Sequence, residues 1–292
     1  MSPSSYSLLL DCERKWFYRY VSGLPRPEAH PSAALGSAVH SAIEAVYRGV
    51  EYPEDTPLKS QAAARVRAAV RSGSLAETRP PAGTDMLVEV AVSRDLEPFG
   101  GLGRLAGVAD VIWTAPTPAV IDHKSKGDLR FVLTAEELAV DPQLLAYAGA
   151  AHPDEPFVSV AHHYLPPDPH EPYVVWAKAT RAAIEHTYEQ YAKASHKMAA
   201  LRREPIAAMI PPNTNSCTKY GGCVFGGVCP SAPAWVRAKY STEPDPYPET
   251  TLSPTEPTPA QIALRARLAA LRGSPAPAPQ AAPAPAPQAA PA

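Results

Sequence analysis

The apolar positions at the start of the chain recur with a helical period. SSYSLLLDCERKWFYRYV, residues 4–21, is expected as one helix with Ser4 or Ser5 as its N-cap. GLPRPEAHP breaks it. SAALGSAVHSAIEAVYRGV follows as a second helix with Leu35, Val39, Ile43 and Val46 on one stripe, and a third covers roughly 57–72. The period then drops to that of a strand. DMLVEVAVSRDL, GRLAGVADVIWTAP and AVIDHKS read as strands, and turn chemistry at Pro116 and Pro118 joins the last two as a hairpin. DPQLLAYAGAAH is a short helix, PFVSVAHHYLP and EPYVVWAKAT are strands, and 180–203 is a long amphipathic helix starting at Thr180. Helices, three strands, a helix, two strands and a helix make an α/β fold with a mixed sheet.

The pattern stops near residue 240, so 1–240 is expected as one domain. Residues 241–257, rich in Pro, Glu and Thr, read as a linker. TPAQIALRARLAALRG has Thr258 at the N-cap, Pro259 at N1, Gln261 in a capping box and Gly273 as a stop, giving a short helix over 258–273. Its face of Leu264, Leu268 and Leu271 either docks a partner protein through 258–272 or stands idle. Residues 274–292 are almost entirely Pro and Ala and are expected to be a disordered tail.

The 292 residues carry 27 Lys and Arg against 29 Asp and Glu, a formal charge of −2. Nothing therefore draws the whole chain to nucleic acid or anionic membrane, and such binding needs a local basic patch. No apolar run approaches the ~20 residues of a membrane span. LLLDC near the start lacks the basic lead and the length of an export signal. A cytoplasmic location follows as an expectation. Disulfides are rare there, so the four cysteines point to a metal, a cluster or inert thiols.

The candidate chemistry lies in VIDHKSKGDLR, residues 120–130. On a strand Asp122 and Lys124 share a face and His123 points away. Asp110, in GVADVIW, can reach Asp122 across the hairpin. Clustered carboxylates repel unless a cation sits between them, and hard oxygen ligands suit Mg²⁺ or Mn²⁺. A lysine alongside can orient or help deprotonate a metal-bound water, which suits phosphodiester hydrolysis. Taken alone, D-x-K also fits a plain ion pair at a strand end.

In company the segments resemble the PD-(D/E)xK nuclease superfamily, in its RecB-like branch. That branch includes the CRISPR-associated iron–sulfur exonucleases and phage RecB-like nucleases. The likeness runs over roughly 4–232: SYSLLLDCERKWFYRYVSGL resembles the opening helix, and LGSAVHSAIE, GVADVI, VIDHKSK and DPQLLAYA resemble four successive motifs. The resemblance implies a restriction-endonuclease-like three-layer core, with a central mixed β-sheet flanked by helices. It also implies a metal-dependent DNA nuclease, exonuclease-like, in recombination, repair or phage DNA metabolism. His40, Asp110 and Asp122 would be metal ligands and Lys124 the catalytic lysine. Gln143 and Tyr147, one helical turn apart, would position the scissile strand. Glu89 is a further, weaker candidate for metal or phosphate. The small residues Gly36, Ser37 and Ala38 would let the His40 helix approach the sheet. His123, His162 and His163 read as structural or surface residues. The other functional classes are a non-catalytic DNA-binding subunit and a zinc-stapled interaction protein.

Cys217, Cys223 and Cys229 lie in CTKYGGCVFGGVC, and Cys12 stands alone near the start. Their gaps are wider than the usual zinc-ribbon pairs. The resemblance implies a structural [4Fe–4S] staple joining the two ends of the domain, with Zn²⁺ as the alternative. Arg14, Lys15 and Arg19 beside Trp16, Phe17, Tyr18 and Tyr20 mix cations with stacking surfaces, as single-strand binders do. The plainer reading is that the aromatics pack the helix beneath solvated charges. Lys193, Lys197, Arg202 and Arg203 give the long helix a basic end that can track phosphates. The expected substrate is DNA with free ends or single-stranded DNA.

Overall fold

Three helices open in the same way. Ser2, Thr56 and Asp141 each accept the N–H of the residue three positions on, and a proline fills the first helical position after each. A side-chain acceptor satisfies a donor that has no helical partner, and proline lacks that donor at no cost. The helices concerned are α1 (Pro3–Asp11), α4 (Pro57–Ser72) and α7 (Pro142–Ala151). The computed structural model describes residues 1–24, 31–125 and 128–240. The expected linker, the 258–273 helix and the Pro/Ala tail lie outside the described residues.

The other described helices are α2 (Glu13–Tyr20), α3 (Pro31–Arg48), α5 (Ser74–Glu77), α6 (Ala135–Leu138), α8 (Arg181–Leu201) and α9 (Ala234–Tyr240). The described strands are β1 (Met86–Asp95), β2 (Arg104–Trp113), β3 (Ala119–Lys124), β4 (Phe157–Tyr164) and β5 (Tyr173–Thr180). They lie side by side in chain order. β1/β2, β2/β3 and β4/β5 are antiparallel, and β3/β4 is parallel, with α7 in the crossover. This is the expected mixed sheet in an α/β fold.

Alternation along the strands splits the core into two layers. Ile112, Val120, Val158 and Val160 face one side and pack with Leu144 and Leu145 of α7 and Ile184, Tyr188 and Tyr191 of α8. Val111, Trp113, Ile121 and Ala161 face the other side with Tyr47 of α3. There α3 and α4 pack through Val39, Ala42, Ile43, Ala62, Val66 and Ala69. The alanines keep the α3–α4 seam thin; a Cβ at Gly36, expected to ease the approach of α3 to the sheet, would meet nothing within 4 Å. Asp110, Asp122 and Lys124 share the parity of Ile112 and Val120, so they project on the α7 side. Among the described residues no helix is long and apolar enough to cross a membrane.

The opening segment departs from the single helix expected over 4–21. Cys12 is extended, with φ −165° and ψ 118°, and separates α1 from α2. The cause lies far along the chain. The Asp11 carbonyl accepts from Asn213 Nδ2 at 2.8 Å and Ser216 Oγ at 2.6 Å, so the 213–216 segment occupies the acceptor that a continuous helix would use. The N-cap is Ser2, not Ser4 or Ser5. The short helices α5, α6 and α9 were not expected.

Candidate active site

Three neighbouring strands bring three carboxylates into one row. Pairs Val88↔Val111 and Val90↔Ala109 flank Glu89, which sets it opposite Asp110. The β2/β3 ladder runs from Trp113↔Ala119 to Val111↔Ile121, and one further step sets Asp110 opposite Asp122. The ladder ends there because the Asp110 carboxylate replaces a backbone partner. Its Oδ2 accepts the His123 N–H at 2.7 Å. Glu89 holds φ +54°, the left-handed region that a side chain normally avoids. Such strain costs on the order of 1–3 kcal/mol and persists where the surroundings enforce it.

His40 completes the group from α3. Its Nδ1 lies 3.4 Å from Asp110 Oδ2. One ligand atom each from His40, Glu89 and Asp110 lie within 4.8 Å of one another. Burial opposes charge on the His40 imidazole, but Asp110, Asp122 and Glu89 outweigh it and push the ring up to about 9. Burial, then Asp110 and Glu44, push Glu89 up to about 7. Burial and the neighbouring Asp122 raise Asp110 as well. Carboxylates held above their ordinary range, with a basic imidazole between them, form a donor set that a cation would relieve.

Asp122 is engaged differently. It is 2% exposed, and its Oδ2 lies 2.6 Å from Lys124 Nζ. Gln143 Nε2 donates to Asp122 Oδ1 at 2.8 Å, and Gln143 Oε1 accepts from Lys124 Nζ at 3.2 Å. Aspartate, lysine and glutamine thus close a ring. Burial works against charge on Lys124, but Asp122 raises its affinity for the proton. Gln143 reaches this ring because the Asp141 cap and Pro142 begin α7 just before it. Tyr147 lies one turn on. A Cβ at Gly107 would come within 2.7 Å of its Cε1, so the glycine makes room for the ring.

Behind β3 lies a buried chain of hydrogen bonds. His123 Nδ1 and His163 Nδ1 are 3.1 Å apart, Ser74 Oγ is 3.0 Å from His163 Nε2, and Tyr47 OH is 3.4 Å from His123 Nε2. Tyr47 OH is also 2.6 Å from Thr78 Oγ1, which donates to the Leu75 carbonyl at 2.7 Å. Burial holds His163 down to about 4, and burial with His163 beside it lowers His123. Both rings are therefore neutral at pH 7. With Thr78 donating to Leu75, Tyr47 must donate to Thr78, His123 to Tyr47 and His163 to His123. Of the three histidines expected to be structural or surface residues, all are buried; His123 and His163 tie α3, α5, β3 and β4 together behind Asp110, while His162 Nδ1 lies 3.0 Å from Tyr164 OH and its Nε2 4.0 Å from Asp122.

The four cysteines line one cavity with Arg14, Tyr18 and Phe225. The Asn213 N–H donates to Cys12 Sγ at 3.4 Å, and Arg14 reaches Cys229 Sγ at 3.8 Å. Burial raises the thiols of Cys217 and Cys223 above their ordinary range. All four are free of disulfides.

Arg14 departs from the set of DNA contacts expected from the sequence. It is 6% exposed and donates to Ile210 O at 2.8 Å, Ser231 Oγ at 2.9 Å and Ala208 O at 3.3 Å. It anchors α2 to the C-terminal segment. Trp16, Phe17 and Tyr18 are buried, so the plainer reading of that helix is the one the packing supports. Lys15 pairs with Asp11 at 2.9 Å, and Arg19 is half-buried. On α8, Lys197 pairs with Glu13 at 3.0 Å, and Arg202 lies 5.5 Å over the Trp16 ring.

The model of the PD-(D/E)XK nuclease superfamily matches residues 1–230. The chain belongs to this superfamily. Members are nucleases, which hydrolyse phosphodiesters with divalent metals, and the His40–Glu89–Asp110 group is a site of that character. The crystal structure of SSO0001 matches at 15% identity and a TM-score of 0.33, over 75% of this chain and 92% of that one. No curated protein sequence matches. Glu89 gave the weakest sequence signal because a glutamate on a strand is more often solvated; the register opposite Asp110 brings it into the group.

Proposed function

We propose that the chain is a Mg²⁺- or Mn²⁺-dependent DNA nuclease of the RecB-like branch, acting as an exonuclease in DNA recombination, repair or phage DNA metabolism. The observation that carries this reading is the row Glu89–Asp110–Asp122 across three strands, with His40 above it and Lys124 beside it. His40, Glu89 and Asp110 would hold the ion, with Asp122 adjacent. Two carboxylates and one imidazole suit it, and the imidazole places Mn²⁺ ahead of Mg²⁺. Such an ion supplies charge neutralisation and an activated water for attack on phosphorus.

The chain's own groups then have distinct tasks. Asp122 and Gln143 hold the Lys124 ammonium at a fixed point, where it stabilises developing negative charge. Tyr147, one turn along α7, bounds the space in which the scissile phosphate lies. The His123 N–H fixes the Asp110 carboxylate through Oδ2, the oxygen that also lies 3.4 Å from His40. Asp110, Asp122, Lys124, Gln143 and Tyr147 are the proposed catalytic set.

Cys12, Cys217, Cys223 and Cys229 are proposed to hold a structural [4Fe–4S] cluster. Cys217 and Cys223, whose proton affinity is raised, need a cation to become thiolates, and N–H donors to sulfur tune such clusters. The proposed nuclease domain is 1–240, followed by the linker 241–257, the short helix 258–273 and the 274–292 tail. The test is cleavage of linear and circular DNA, single- and double-stranded, with Mg²⁺, Mn²⁺ or chelator. End-dependent cleavage that chelator abolishes is expected. Metal-independent cleavage, or none in any condition, would contradict the reading. Metal analysis of anaerobically purified protein should return iron and sulfide, and zinc alone would replace the cluster by a zinc staple.

A further inference from the structure

We propose that a groove along α1 holds the DNA strand on one side of the catalytic group, and that the cysteine loop forms its far end. This rests on the nuclease reading above. A cavity of about 500 Å³ extends from Gln143 to Lys219. Gln143 bonds both Asp122 and Lys124, so the groove begins at the catalytic ring. Its wall is one face of α1, formed by Ser4, Ser7, Leu8 and Asp11. Their spacing is that of a single helical stripe.

The chemistry of this wall suits a single strand. Exposed serine hydroxyls donate to phosphate oxygens, and Leu8 offers an apolar spot for a sugar or base. Asp11 is the acid in the lining, and it is compensated. Lys15 lies 2.9 Å from it, Lys219 3.2 Å, and Ser216 Oγ donates to it at 2.8 Å. Two ammonium groups against one carboxylate leave the far end positive. The Lys219 side chain is 52% exposed, so its ammonium can turn from Asp11 to a phosphate.

A second cavity, of about 420 Å³, opens on the other side of the metal-binding group along α3. Glu44 and Glu89 line it together with His40, and no lysine or arginine is among the described residues that do so. A polyanion is held better in the α1 groove, and the acidic α3 groove favours departure of the product. From Ser4 to Asp11 the helix rises about 10 Å at ~1.5 Å per residue. That spans at most about three nucleotides, at the ~3.4 Å stacked spacing of a duplex strand.

The test compares wild type, Lys219→Ala, Lys219→Arg and Ser7→Glu on single-stranded oligothymidylates from dinucleotide to decanucleotide. Lys219→Ala and Ser7→Glu should raise KM for the longest substrate about three- to tenfold and flatten its salt dependence, by about one charge for the lysine. The loss should grow with length up to about three nucleotides beyond the scissile bond and then level off. Lys219→Arg should restore KM. Equal loss at every length, no loss at any length, or failure of the arginine to rescue would overturn the groove. If wild type cleaves no DNA with either metal, the nuclease reading fails. Anisotropy of labelled oligothymidylates in chelator then decides the groove: length-dependent weakening by the same variants supports it, and unchanged binding overturns it.

Discussion

Removing the Lys124 ammonium should destabilise the protein as well as impair cleavage. Asp122 is 2% exposed and its compensating charge sits 2.6 Å away. In Lys124→Met the carboxylate keeps the Gln143 amide at 2.8 Å and the His162 imidazole at 4.0 Å but no ammonium, and Gln143 Oε1 loses its donor. Breaking one side of a buried pair costs about 3–5 kcal/mol, because the remaining charge stays desolvated. Asp122→Asn is milder, at about 1–2 kcal/mol, since the lysine head can turn to water and the asparagine still bonds Gln143. The double variant has no orphaned charge. Its cost should fall below the sum of the single costs by about 1.5–3 kcal/mol. The assay is urea unfolding in chelator, so that no bound ion masks the carboxylate, with equal m-values required across the four proteins. Additive costs within about 0.5 kcal/mol would refute the claim that this pair is coupled in the fold.

The remaining predictions concern other parts of the molecule. Glu89, raised from 4.5 to about 7, binds its proton more tightly folded than unfolded, so metal-free stability should decline as pH rises from about 4.5 to 7. His40, raised from 6.5 to about 9, gives stability that is complete below 6.5 and lost through about 9. The Tm in chelator should therefore fall from pH 5 to 9 while the Tm gain on adding Mn²⁺ grows; a flat or rising Tm in chelator contradicts the assignment. Arg14→Ala should cost about 3 kcal/mol in denaturant melts, with DNA affinity unchanged where the fold persists; weaker binding at full stability would return Arg14 to the DNA surface. Gly107→Ala should displace the Tyr147 ring, at about 1–3 kcal/mol, and slow cleavage; a crystal structure with Tyr147 unmoved would exclude that route. Cys12→Ser should lower Tm and remove cluster absorbance together, and retention of both would dismiss Cys12 as a ligand.

Strand identity was legible because Met86–Asp95, Arg104–Trp113 and Ala119–Lys124 are rich in β-branched and apolar residues and are bounded by turn residues. Parity alone placed Asp122 and Lys124 together and turned His123 away. Features that depend on distant partners were not legible. The break at Cys12 comes from Asn213 and Ser216, some two hundred residues along, and a helical pattern crosses it without interruption. Arg14 reads as a surface cation until Ile210 and Ser231 enclose it. Glu89 joins the metal-binding group with a left-handed backbone, which no residue preference announces in a glutamate. The linkage of His123 and His163 depends on β4 lying parallel to β3, a register that neither strand's own sequence specifies.

The anchoring of Arg14 bears on how the chain is made. Its Ser231 acceptor lies 217 residues downstream, which at ~5–20 residues per second corresponds to about 10–40 s of translation. For that interval Arg14 lacks its Ser231 acceptor and Tyr18 lacks the cluster of Phe225, Cys229, Ala232 and Val236 that covers it. Nascent chains should need holdase protection during this wait, and proteins stopped short of residue 229 should be degraded rather than accumulate as partial nucleases.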